Sequence, residues 1–281
     1  MEEAIPSRTA LRVALRRAAH QIYDSPVVFE DPIAVPILGK RYAEELRRTP
    51  VRDDRPFSIA LRAFMVGRSR YAEDHLRRAV AAGVKQYVLL GAGLDTFAYR
   101  NPWPEVRVFE VDHPATQQWK RKLLGGANEI TVPENVAYVG VDFERQSLPE
   151  RLAESGFDEN APAFFAWLGV VPYLTLKAFR GTVDFIASQA AGSGVALDYG
   201  LPRDALPPME RLAHDSLASR VKLAGEPFQL FFTPDRIATE FVAFKDIEDL
   251  GSLEVNARYF KGRRDNLQWL GSGARLFSAW I

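Results

Sequence analysis

Gln86–Arg100 reads QYVLLGAGLDTFAYR. The apolar run Tyr87-Val88-Leu89-Leu90 meets Gly91-Ala92-Gly93, then Leu94, Asp95 and Thr96. Four apolar residues ended by glycines predict a buried strand running into a tight turn. Glycine is suited to such a turn because, with no Cβ, it takes positive φ at little cost and lets a ligand approach the backbone. In open α/β sheets a loop of this kind, at the carboxyl end of the first parallel strand, is where nucleotide-like ligands sit.

The pattern that follows is alternating. Strands are predicted at Val106–Asp112, Val136–Asp142, Ala163–Val171 with its exit loop, and Gly194–Gly200. Helices are predicted after Pro114, over Leu148–Ser155, and after a Thr175 cap. Strand–helix alternation implies right-handed crossovers and a mainly parallel sheet. FKDIEDL leads to a weak sixth strand, and ARLFSAWI is a good seventh. The expected fold is a Rossmann-like α/β domain, a seven-stranded mainly parallel sheet with helices on both faces. Ahead of the sheet, residues 1–82 read as a helical cap, with an amphipathic basic helix near Pro6–Gln21, a proline-studded connection over Tyr23–Gly39, and one or two helices over Phe57–Ala82. Residues 83–200 form the core and 234–281 complete it. Residues 201–233 are too long for an ordinary connection and read as a lid over the strand ends.

Composition narrows the function. The 281 residues are 47% hydrophobic and 26% charged, which suits a globular chain with a sizeable core, and the formal net charge is zero. A neutral chain has no overall drive toward nucleic acid or an anionic membrane. Cysteine is absent, excluding disulfides, thiolate metal sites and a cysteine nucleophile. His20, His75, His113 and His214 are scattered without a metal-binding spacing, and there is no G-x-S-x-G elbow. No run reaches the ~18 apolar residues of a membrane span. The N-terminus MEEAIPSRTALRVALRRAAH begins acidic and lacks a continuous apolar stretch, so a secretory leader is not expected and the chain reads as cytoplasmic.

The glycine loop is GxGxxT rather than GxGxxG, an incomplete dinucleotide fingerprint. It contains no basic residue, there is no phosphate-binding GxxxxGK[ST] loop, and Asp95 would repel a pyrophosphate near the following turn. Glu110 and Asp112 lie at the end of the second strand, about 20 residues beyond the glycines, the spacing at which an acid accepts from ribose hydroxyls. In a strand, Glu110 and Asp112 share a face. Asp142 and Phe143 end the third strand, an acid and a ring suited to an adenine amino group and base plane. Against each stands a plainer reading, a tight structural turn or a solvated strand end. Together they favour an adenosine ligand without phosphates, for which S-adenosylmethionine (SAM) is the common case.

The motifs LLGAGLDTFAYR, FEVDHPATQQWKRKLL, VGVDFERQSL and WLGVVPYLT follow in order, preceded by SRTALRVALRRAAHQ, EDPIA and FMVGRSRYAEDHL and followed by GEPFQLFFTPD and NARYF. The set resembles the leucine carboxyl methyltransferase-like family of class I SAM-dependent methyltransferases, over nearly the whole chain. The resemblance implies that Gly91, Ala92, Gly93 and Asp95 form the loop against the amino-acid part of SAM, that Asp112 binds the ribose, and that Asp142 and Phe143 bind the adenine. It implies that Arg68 pairs with the SAM carboxylate, with Arg70 as rival, and that one of Arg12, Arg16 and Arg17 assists. It departs from the family at Leu168, where many relatives carry an acid. The implied activity is O-methylation of a carboxylate or acidic hydroxyl on a small molecule, without metal, nucleic acid or membrane. A protein C-terminal carboxylate and non-catalytic SAM binding are the alternatives, and a nicotinamide oxidoreductase is disfavoured by the incomplete fingerprint. Tyr173, Tyr199, Arg258 and Tyr259 are candidates for the acceptor pocket.

Overall fold

The computed structural model describes residues 8–48, 56–125, 130–142, 146–223 and 225–281. Seven strands form one sheet in the order β3-β2-β1-β4-β5-β7-β6. They are β1 (Gln86–Leu90), β2 (Arg107–Asp112), β3 (Val136–Gly140), β4 (Ala163–Trp167), β5 (Gly194–Gly200), β6 (Lys245–Leu250) and β7 (Ala274–Trp280). The first five pair in parallel, and β7 enters antiparallel between β5 and β6. The α/β expectation therefore holds, and KDIEDL is itself the sixth strand.

Strand alternation builds two cores. In β1, Tyr87 and Leu89 face a core shared with α3 (Pro56–Ala81) and α9 (Ser252–Tyr259), while Val88 and Leu90 face a core shared with α5 (Leu148–Glu154) and α6 (Leu176–Ala187). Because all five β1 side chains are buried, the strand shows a continuous apolar run, as a central parallel strand should. Thr175 caps α6, its hydroxyl accepting from the Ala178 N–H at 3.2 Å.

The N-terminal segment is more helical than its prolines suggest. α1 (Arg8–Tyr23) packs Ala14, Ala18 and Ala19 with Leu94 of the glycine loop and with Leu46 of α2 (Gly39–Arg48), a helix the sequence reading did not anticipate. Phe57–Ala82 resolves as the single helix α3, stopped by Gly83 at φ 98°. α4 (Pro114–Gly125) follows β2. Residues 201–233 contain α7 (Pro208–Leu223), and α8 (Pro234–Glu240) follows them. Their last segment is tied down where Phe232 N–H donates to the Gly200 carbonyl at 3.0 Å and Gln229 N–H to that of Pro172 at 2.7 Å. Third strand and helix α9 also differ from expectation: β3 ends at Gly140, so Asp142 lies beyond it, and α9 was not foreseen. No described helix is long and apolar enough to cross a membrane.

Candidate active site

The glycine loop turns over the end of β2. Gly91 and Ala92 N–H both donate to the Val111 carbonyl, at 2.9 and 3.0 Å. Gly91 has φ 70° and Gly93 φ 49°. A Cβ on Gly91 would lie 2.3 Å from Val170 Cγ2, and one on Gly93 3.2 Å from the Ala10 Cβ of α1. The glycines are thus required by the backbone and by the approach of two remote segments, the loop after β4 and the first helix.

Asp112 reaches across this turn. Its carboxylate accepts from the Gly93 N–H at 2.5 Å and from the His113 N–H at 2.6 Å. Burial raises its carboxyl above the usual range, against the lowering effect of those two N–H donors. Glu110, two residues earlier, has a different fate. It is fully buried, accepting from Lys120 Nζ at 2.7 Å and from the Tyr99 hydroxyl at 3.1 Å, and it does not line the site. The shared strand face does not make two ligands of the pair.

Asp95 faces Arg17 of α1 at 3.0 Å, while its other oxygen accepts from the Phe97 N–H at 2.8 Å. The Arg17 guanidinium also donates to the Leu94 carbonyl. Burial works to raise the Asp95 carboxyl, but Arg17, Lys120 and Arg100 outweigh it and hold it below the usual range. Asp95 therefore does not present a bare negative charge, and the expected repulsion of a pyrophosphate is corrected. The basic residue that the loop lacks in sequence arrives from α1, nearly eighty positions away (|i−j| = 78).

Of the two rival arginines in α3, Arg68 is at the site and Arg70 is not. Arg68 is buried, pairs with Asp198 of β5 at 3.2 Å, and lies under Gly169, whose N–H donates to the same carboxylate at 2.6 Å. Gly169 has φ 71°, and a Cβ there would stand 2.8 Å from the guanidinium nitrogens. Arg70 instead binds Asp74 at 2.9 Å and the Val28 carbonyl at 3.1 Å.

These groups border a cavity of about 600 Å³ at the carboxyl ends of β1, β2 and β4. Gly91, Ala92, Gly93, Asp95, Asp112 and Arg68 all line it, joined by Arg17, Leu168, Val170 and Glu226. Its volume suits a small-molecule cofactor. Its two arginines are each paired with an acid, and Asp95, Asp112 and Glu226 are the acids that line it. Leu168 makes this wall apolar where an acid was noted as usual in relatives. Asp142 is outside the cavity, its N–H donating to Gln146 Oε1 at 3.0 Å, and Phe143 lies outside the described residues.

A second cavity of about 570 Å³ adjoins the first, and the two share Thr9, Val13, Arg68, Gly169 and Tyr173 as a common wall. It is closed by α7 and the segment after it. Of the acceptor candidates, Tyr173 stands in the shared wall, packed on Phe228 with centroids 5.2 Å apart, and burial raises its phenol. Tyr199 borders the second cavity, but its hydroxyl donates to Asp249 at 2.8 Å. Arg258 and Tyr259 are corrections. Arg258 forms a two-point pair with Glu248 (2.6 and 3.0 Å), Tyr259 donates to Asp74 at 3.1 Å, and neither borders either cavity. Their NARYF segment is the last part of α9 and the Phe260 that follows it, and Val255 and Phe260 pack against Gly67 of α3. His214, set aside in sequence as one of four scattered histidines, lines the second cavity between Phe228 and Phe231, with Nδ1 3.5 Å from Asp215. Only the aromatic spacing of GEPFQLFF hinted at that wall. Among the described residues no group of three or more potential ligands could hold a metal ion.

Comparison with known proteins agrees with the fold and with the cofactor. The leucine carboxyl methyltransferase family model matches residues 10–187. A Bacillus subtilis protein named "Putative S-adenosyl-L-methionine-dependent methyltransferase YktD" is 33% identical over 288 aligned positions, covering 93% of both chains. A Mycobacteroides abscessus protein of the same description is 35% identical over 195 positions, covering 68% of this chain and 64% of its own. In fold, the chain is similar to the crystal structure of a DUF574 family protein from Streptomyces avermitilis, with a TM-score of 0.57 at 19% identity, covering 94% of this chain and 96% of that one. The chain therefore belongs to the leucine carboxyl methyltransferase family, and it is a methyltransferase that depends on S-adenosylmethionine.

Proposed function

We propose that this protein is an O-methyltransferase acting on a carboxylate or acidic hydroxyl of a small molecule in the cytoplasm. The observation that carries this reading is the pair of adjoining cavities with one common wall, one built by the glycine loop and the other enclosed by residues 201–233 acting as a lid.

In the first cavity Asp112 is the ribose acceptor, and Arg68 with Arg17 provides the positive charge for an amino-acid carboxylate. Arg12 and Arg16 line the second cavity instead, so Arg17 is the assisting residue of the first helix. SAM, when bound, supplies a methyl group activated by its sulfonium sulfur. What the chain must do is hold an acceptor oxygen in line with that methyl group and keep water away, which is mainly positioning. Thr9 and Tyr173 stand in the shared wall, with the Thr9 hydroxyl donating to Glu226 of the lid, so they flank the boundary that the methyl group crosses. A carboxylate acceptor is already ionised near neutral pH and needs no base, whereas a hydroxyl benefits from one. His214 is the one histidine placed to serve a hydroxyl acceptor.

The test is to incubate the protein with methyl-labelled SAM and an extract of bacterial metabolites, then treat the labelled products with mild alkali. A carboxylate acceptor gives a methyl ester that releases labelled methanol. A hydroxyl acceptor gives an alkali-stable ether. Label appearing on carbon or nitrogen, or only on protein C-termini, would overturn the reading.

A further inference from the structure

The first cavity receives one of its acids from outside the sheet. Glu226 lines it and does not border the second cavity. Its position is set locally. α7 gives way to Gly225 at φ 83°, whose N–H donates to the Lys222 carbonyl at 3.0 Å, while the Glu226 N–H donates to the Val221 carbonyl at 3.0 Å. This pair of bonds is the helix ending that a left-handed glycine permits, and it fixes the residue that follows. Further along, the N–H and side-chain amide of Gln229 donate to the Pro172 and Tyr173 carbonyls, at 2.7 and 2.8 Å. The half-buried Glu226 is thus held between two anchors. One of its oxygens accepts from the Thr9 hydroxyl of α1, and the next residue of α1, Ala10, is the one that presses on Gly93. The other acids near the cofactor cavity are engaged. Asp95 holds Arg17, Asp198 holds Arg68, and the two oxygens of Asp112 accept from the Gly93 and His113 N–H groups. Leu168 brings no acid from the β4 side. Glu226 forms no ion pair, and its second oxygen accepts no hydrogen bond, among the described residues. A carboxylate just past the carbonyl end of a helix also opposes the helix dipole, so a cation beside it is favoured.

We infer that Glu226 receives the α-ammonium group of the cofactor, and that the cofactor thereby fastens the lid. This rests on the first cavity being the SAM site and on residues 201–233 acting as a lid. The amino-acid end of SAM carries a carboxylate and an ammonium. Arg68 and Arg17 suit the carboxylate. The ammonium, which only donates, needs an acceptor, and an ionised acceptor makes the stronger bond. Because Thr9 donates to the same side chain, the ammonium, the lid and α1 meet at one polar junction. Phe228 and Phe231, which wall the second cavity, follow Glu226 in the same segment, so seating the cofactor also sets the wall of the adjoining chamber.

The experiment titrates the full chain and its E226Q variant by calorimetry with two ligands, S-adenosylhomocysteine and its deamino analogue, in which hydrogen replaces the α-amino group. Glutamine keeps an oxygen for the Thr9 hydroxyl and removes only the charge. The unmodified protein is expected to bind S-adenosylhomocysteine about tenfold or more tightly than the analogue, the range of a hydrogen bond to a charged group. In E226Q that preference falls to about threefold or less, the level of a neutral hydrogen bond. The affinity for the analogue stays unchanged, which also reports that the variant is folded. Hydrogen exchange reads the lid: amides of residues 226–232 are expected to be slowed more by S-adenosylhomocysteine than by saturating analogue in the unmodified protein, and equally by both in E226Q. No preference in the unmodified protein, or a preference that survives in E226Q, overturns the assignment of Glu226 while leaving the cofactor reading intact. Equal slowing by the two ligands in the unmodified protein overturns the fastening of the lid. Failure of the unmodified protein to bind S-adenosylhomocysteine overturns the cofactor reading and the inference with it.

Discussion

The two adjoining cavities are of nearly equal size, yet they are built in opposite ways. The first is lined by backbone turns at the ends of β1, β2 and β4 and keeps its arginines buried against acids. The second is walled by side chains of helices and of the segment after α7, and two of its arginines, Arg12 and Arg220, are exposed. Turn geometry and buried ion pairs fix a shape that must fit one invariant ligand. Side chains on helix faces give a chamber whose selectivity can change without disturbing the sheet. Under the proposed assignment, the contrast lets one fold hold a common cofactor beside an acceptor particular to each protein.

The largest effect is expected where the cavities meet. Arg68→Met leaves Asp198 buried without its ion pair, and breaking a buried pair from one side costs about 3–5 kcal/mol. Thermal denaturation should show that loss, and calorimetry should show S-adenosylhomocysteine binding impaired. An unchanged melting temperature would mean that Arg68 does not support the shared wall.

Gly91→Ala should strike the first cavity alone. The new Cβ meets Val170 at 2.3 Å and the residue must hold φ 70°. Left-handed backbone costs about 1–2 kcal/mol for a side-chain-bearing residue and overpacking about 1–3 kcal/mol more. S-adenosylhomocysteine affinity should fall steeply, and adding Val170→Ala should recover the steric part. An unchanged S-adenosylhomocysteine affinity would remove the glycine loop from the cofactor site.

The smallest effect is the most specific. Asp112→Asn should weaken S-adenosylhomocysteine binding by about 1–3 kcal/mol, the cost of mismatched hydrogen-bond partners. The pH dependence sharpens it. Burial raises the Asp112 carboxyl, so acidification neutralises it before an ordinary aspartate near about 3.9 would respond. Affinity should therefore fall as pH falls through that raised range, and the asparagine variant should lose this slope. A slope that persists in the variant would assign the titration to another group.

Much of the first cavity was legible because its parts are local. Tyr87–Leu90 had to be a buried strand, Gly91 and Gly93 had to turn, and Asp112 followed at strand-end spacing, so each signal is carried by neighbouring residues. Long-range contacts decided the rest. Asp95 looked like a repulsive charge, because nothing near it in sequence announces Arg17. Glu110 and Asp112 looked alike, because period two gives the face of a strand but not the depth at which Lys120 and Tyr99 enclose one acid. Arg258 and Tyr259 looked available, because a polar NARYF segment does not reveal that α9 packs on the back of α3. Helix α2 was missed for a similar reason: its polar run Gly39–Arg48 buries only Ala43 and Leu46, too thin a stripe to register as periodicity.

The loop QYVLLGAGLDTFAYR shows where that division falls. By itself the sequence determined an α/β sheet, a turn that only glycine tolerates, and an acid at the end of the second strand, because backbone sterics and strand periodicity act between near neighbours. Tertiary structure alone decided that Val170 and Ala10 press on those glycines, that Arg17 neutralises Asp95, and that Arg68 rather than Arg70 reaches the site. It also set a second chamber with a largely apolar and aromatic lining against the other side of the same wall. Those facts depend on packing between segments far apart in the chain, and packing is settled only when the whole core closes.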